Sequence, residues 1–76
     1  MKIDIELTDT FGGDANYSWV RRYTLDTPDD TTQRALIRRI KKAAGITGVR
    51  CNTDDHGGMI AIRPVGACVV LFATFS

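Results

Sequence analysis

The segment Ala67–Ser76, ACVVLFATFS, is apolar on both of the faces that a strand would present. Alternate side chains of a strand point to opposite sides. One side would carry Cys68, Val70 and Phe72, and the other Val69, Leu71, Ala73 and Phe75. Such a strand cannot lie at the wet edge of a sheet with one side in water. It belongs in the centre, with cover on each face. The remaining sequence offers one helix as cover, so a second copy is expected on the opposite face, in a homodimer, with strong curling of the sheet that buries both sides within one copy as the alternative.

The other elements follow from periodicity. Lys2–Thr8 alternates Ile3, Ile5 and Leu7 with Lys2, Asp4 and Glu6, the pattern of a half-buried strand. Asp9–Asn16 (DTFGGDAN) has the composition of a loop, and Tyr17–Leu25 is rich in aromatic and β-branched residues, so a hairpin is expected. Thr27–Pro28–Asp29–Asp30 reads as a helix start, with Thr27 as N-cap and the aspartates suited to the dipole. Leu36, Ile37, Ile40, Ala43 and Ala44 then form one apolar stripe, and Gly45 is the expected stop with Ile46 folding back. Short strands are expected at Val49–Thr53 and Met59–Arg63, the latter ending at Pro64. The turns Asp54–Gly58 and Pro64–Gly66 would join strands three, four and five into a meander. The fold class is α+β: a single two-layer domain over residues 1–76, one helix on an antiparallel sheet of about five strands, in the order strand–strand–helix–strand–strand–strand.

Seventy-six residues are few for one core. A domain this small buries only about 60% of its unfolded surface, so oligomerisation is a natural support. The net charge of +1 gives no global pull towards nucleic acid or membrane. No apolar run approaches the roughly 20 residues of a spanning helix, so no membrane role is expected. The opening MKIDIELTDT does not read as a signal peptide. Together with only two cysteines, Cys51 and Cys68, this points to a cytoplasmic setting with reduced thiols. The cysteines read as small core residues, with a bridge between neighbouring strands as the alternative.

Catalytic signatures are weak. Phe11–Asn16 (FGGDAN) has the glycines of a phosphate loop, but a strand follows it rather than a helix N-terminus. It reads as a hairpin loop, with Phe11 as a plug at the sheet edge. Asp54–Gly58 (DDHGG) holds two carboxylates and the only histidine, but adjacent residues of one turn rarely converge on a metal. Neither Ser18 nor Ser76 sits in a nucleophile motif. The expectation is therefore no enzyme, no cofactor and no metal.

Two surfaces stand out. The helix segment Arg34–Lys42 (RALIRRIKK) places Arg34, Arg38, Lys41 and Lys42 on its outer side, with Arg39 flanking. That stripe suits phosphates, and equally suits a solvated face whose C-terminal cations match the dipole. Tyr17, Trp19, Arg21 and Tyr23 would share one side of the second strand. Such residues are core, protein-interface anchors or a base-stacking platform.

The stretch TDTFGGDANYSWVRR (Thr8–Arg22), the capped helix and GVRC (Gly48–Cys51) resemble small proteins encoded by phages and prophages. The resemblance spans most of the chain and carries no catalytic residue with it. Chains of this size and setting also look like anti-defence proteins, including the anti-CRISPR kind. What that resemblance implies is a non-enzymatic binder, in the host cytoplasm, that inhibits a host protein assembly such as a CRISPR–Cas complex. A small nucleic-acid-binding module using the basic helix and strand aromatics is the alternative, and a virion scaffold component a third. The partner-binding residues under these readings are Tyr17, Trp19, Arg21, Tyr23, Arg34, Arg38, Arg39, Lys41 and Lys42.

Overall fold

A computed structural model describes residues 1–12 and 14–75. Five strands form one antiparallel sheet: β1 (Lys2–Phe11), β2 (Asp14–Asp26), β3 (Cys51–Asp55), β4 (Met59–Pro64) and β5 (Val69–Phe75). A single helix, α1 (Gln33–Ala43), lies between β2 and β3 in sequence. The order across the sheet is β2-β1-β5-β4-β3, so the strand that is apolar on both faces does occupy the centre.

One face of the sheet takes the helix. Ile3, Ile5 and Leu7 of β1, Leu71 and Ala73 of β5, and Ile60 and Ile62 of β4 form a buried cluster with Leu36 and Ile40 of α1. Six of these nine are at most 1% exposed, so the centre of the domain is dry. Burying one such aliphatic side chain contributes about 1.5–3 kcal/mol. Pro64 lacks an N–H, and pairing of β4 with β5 runs only as far as Ile62↔Leu71 before it.

The opposite face departs from the expectation of an apolar layer needing a second copy. On β1 and β2 it carries Lys2, Asp4, Glu6, Arg22 and Thr24, with Glu6 paired to Arg22 at 3.5 Å. Its apolar groups lie mainly on β5 and β4, where Val70 and Ala61 are at most 3% exposed and Phe72 and Met59 are half-buried, joined by half-buried Val20 of β2. Val70 and Ala61 are covered within one copy, while Phe72 and Met59 keep part of their surface open.

The helix starts later than Thr27. Thr27 extends the β1–β2 ladder by donating its N–H to the Met1 carbonyl at 3.0 Å, and it is buried. Pro28–Thr31 makes a turn in which both the N–H and the hydroxyl of Thr31 bond the Pro28 carbonyl. Thr32 is the N-cap, its hydroxyl accepting from the Ala35 N–H at 3.2 Å. The aspartates therefore lie outside the first turn. The end matches expectation: Gly45 takes φ +77°, its N–H bonds the Lys42 carbonyl, and Ile46 N–H bonds that of Lys41. This is the Schellman arrangement, and Ile46 packs against the core.

Smaller departures follow the same logic of tertiary bonding. β3 begins at Cys51 and takes in Asp54 and Asp55, leaving only His56–Gly58 as the turn. Cys51 is half-buried against the core, but Cys68 is exposed in the β4–β5 turn, so only one cysteine is a core residue; both are free thiols. Phe11 is 80% exposed and plugs nothing.

Candidate binding surface

The β1–β2 hairpin reaches further than the expected loop allows, because Asp9 rebuilds the ladder where the register slips between Thr8 and Thr10. Its carboxylate accepts from the Ser18 hydroxyl (2.6 Å), the Ser18 N–H (2.9 Å) and the Asn16 amide (2.9 Å). Hydrogen bonding to Ser18, then to Asn16, draws the Asp9 carboxyl down from its ordinary 3.8 to about 2. Beside it, the buried Thr8 hydroxyl donates to the Trp19 carbonyl and accepts from the Tyr17 N–H. Two side chains thus replace backbone partners at a bulge.

The bulge separates the aromatic residues expected on one side. Tyr17 adopts φ +56°, the left-handed region, which breaks the two-residue alternation. It lines a hollow with Glu6, Met59, Phe72 and Thr74 on the face away from the helix. Trp19, Arg21 and Tyr23 stay on the helix side, since Arg21 and Tyr23 pair with Leu7 and Ile5. Tyr23 packs against the core, whereas Trp19 is 40% exposed with the Arg21 guanidinium 5.7 Å from its ring centre. That separation falls within cation–π range.

The backbone of β2 adds a second feature that the sequence did not flag. Met1 and Thr27 exchange both backbone hydrogen bonds, at 3.0 and 2.8 Å. In an antiparallel ladder such pairs alternate with pairs whose N–H and C=O groups point outwards. Counting from Met1↔Thr27 through the register, Val20, Arg22 and Thr24 direct their backbone groups away from the sheet. The Thr10 N–H bond to the Cys68 carbonyl, on the other side of β1, has the matching parity. β2 is therefore an edge with an open row of donors and acceptors and an exposed Trp19 beside it.

Charge on α1 is segregated. The helix holds Arg34, Arg38, Arg39, Lys41 and Lys42, half of the ten cations, and none of the nine acidic residues. None of the five forms an ion pair among the described residues. Arg39 and Lys42 line a shallow hollow with Leu25 of β2 and Ala43, so they flank the open edge. Arg34, Arg38 and Lys41 line a separate recess with Ile37, Thr47 and Gly48. The nine expected partner-binding residues thus fall into an edge group (Trp19, Arg21, Tyr23, Arg39, Lys42), a recess group (Arg34, Arg38, Lys41) and Tyr17 on the opposite face.

Among the described residues, no group of three or more His, Cys, Asp or Glu side chains converges as a metal site, and no helix is long and apolar enough to cross a membrane. The glycine loop includes Gly13, and the Ser76 reading concerns the last residue; both lie outside the described residues. No protein-family model, curated protein or solved structure matches the chain.

Proposed function

We propose that this protein is a stoichiometric binding module that captures an extended, acidic segment of another protein along the β2 edge. The single observation that carries the reading is the outward row of backbone groups at Val20, Arg22 and Thr24 on a 13-residue edge strand. Addition of a strand to such an edge supplies affinity through main-chain hydrogen bonds, and neighbouring side chains supply selectivity. Here the neighbours are Trp19, an aromatic anchor, and Arg21, Arg39 and Lys42, which favour carboxylates. The resemblance to phage-encoded anti-defence proteins makes a host assembly, with a CRISPR–Cas effector first, the partner to test. The chain acts by occupying a surface and performs no chemistry. A second copy competes for the same edge, and a homodimer formed there would shield it.

The test compares tagged wild-type protein with Thr24→Pro as baits in host lysate. Proline at an outward position of an edge strand deletes a docking donor and leaves the internal ladder intact. A discrete protein retained by the wild type and lost from the variant, with both baits equally folded, supports the reading. Equal retention by both baits, or an empty wild-type bait that sedimentation shows to be monomeric, contradicts it.

A further inference from the structure

The helix carries cations that its own stability does not account for. Lys41 and Lys42 sit in the last turn, where the dipole welcomes positive charge. Arg34 is the second helical residue after the Thr32 cap, beside the positive end of the dipole, and no acidic residue shares that turn. Arg34 and Arg38 stand four residues apart, Arg38 and Lys41 three apart, and Arg38 and Lys42 four apart. Like charges at those spacings face one another and repel.

Three of these repelling groups converge on one place. Arg34, Arg38 and Lys41 line a recess of about 370 Å³, completed by half-buried Ile37 and by the Thr47–Gly48 turn. Gly48 has φ +81°, and nothing lies within 4 Å of where a Cβ would be, so the turn leaves its backbone approachable. Two forked guanidinium groups, an ammonium and a hydroxyl match the oxygens of phosphate. An apolar side chain among them suits a sugar or base. The recess has the volume of a small-ligand site, which begins at about 300 Å³. It also follows one helix face, along which a single sugar–phosphate chain can run.

We propose that this recess binds the phosphodiester backbone of single-stranded nucleic acid, with Arg34, Arg38 and Lys41 contacting phosphates. The site is separate from the β2 edge, and each can fail without the other.

The experiment follows fluorescence anisotropy of a labelled oligothymidylate on the wild-type protein across a salt series. Three phosphate contacts predict a log–log slope near −2, at about −0.7 per contact. Arg34→Glu is expected to weaken binding about tenfold and to lower the slope magnitude by about 0.7 or more. The same variant is expected to keep or raise the thermal midpoint, because glutamate suits that helix position. Arg34→Gln, without the new charge, is expected to lose the same contact. This opposition of lost binding and retained stability separates a binding role from a structural one. No binding at low salt, an unchanged slope in both variants, or tighter binding of a duplex of equal length would overturn the proposal. So would displacement by inorganic phosphate or thymidine monophosphate at the oligonucleotide's own concentration, which would make the ligand a free phosphate. Thr24→Pro is expected to bind the oligonucleotide as the wild type does.

Discussion

The two edges of the sheet face the same hazard and meet it differently. Counting β3 from the Arg50–Val65 and His56–Met59 hydrogen bonds leaves Cys51, Thr53 and Asp55 directed outwards, a row of three like the one on β2. On β3 that row spans five residues, ends in two aspartates, and has the Asp55 carboxylate tied to the Gly57 N–H. Short length and charge are how proteins discourage stray strand pairing. β2 is 13 residues long, holds the exposed side chains of Trp19, Arg21 and Arg22, and carries no acidic residue from Ala15 to Leu25. β2 also carries charge and a bulge, so its length and its lack of acidic residues over that stretch are what set it apart from β3, and the proposed docking rests on that difference.

The largest effect that sharpens this contrast comes from proline placed at adjacent residues of β2. Tyr23 directs its N–H into the ladder with Ile5, so Tyr23→Pro is expected to cost about 3 kcal/mol or more. Thr24→Pro is expected to cost under about 1 kcal/mol, since its N–H is not used. Urea denaturation of both variants measures the difference, and equal losses would break the parity assigned to this edge.

Next in size is the hairpin tip. Asp9 titrates lower in the fold than its ordinary 3.8, so its contribution is complete above that value and is lost as pH falls towards 2. Trp19 fluorescence is expected to change between about pH 4 and pH 2. In Asp9→Asn that transition is expected to vanish, with the tip loosened at neutral pH. An unchanged acid transition in the variant would mean that other carboxylates hold β2 in place.

The smallest effect is on β3. Asp54→Asn with Asp55→Asn is expected to alter stability by less than about 1 kcal/mol, because both side chains are exposed. Self-association should nevertheless rise, as light scattering would show. No rise would remove charge as the reason that β3 stays unpaired.

The contrast between the edges was only partly legible in the sequence. The central place of β5 was, since Val70, Leu71 and Ala73 demand cover on both sides and no edge provides it. The one-helix, five-strand arrangement and the Gly45 stop followed from period and residue chemistry. Thr27 and Thr32 are chemically equivalent caps, and a bond from Thr27 to Met1, remote in sequence, decides between them. The reversal of Tyr17 was hidden for a similar reason: Asp9 and Thr8 side chains replace backbone partners, which no alternation rule anticipates. Strand order alone reveals that β2 is an edge, so the aromatic and arginine residues were visible while the free backbone beside them was not.

The most direct measurement is amide hydrogen exchange, residue by residue, on the free protein and on the complex captured with the wild-type bait. Free, the Val20, Arg22 and Thr24 amides should exchange far faster than those of Arg21, Tyr23 and Leu25, which face β1. In the complex those three should become protected at least about tenfold, equivalent to about 1.4 kcal/mol, while Cys51, Thr53 and Asp55 stay as they were. Protection appearing on β3, or none on β2 in a stable complex, would contradict the assignment of β2 as the docking edge.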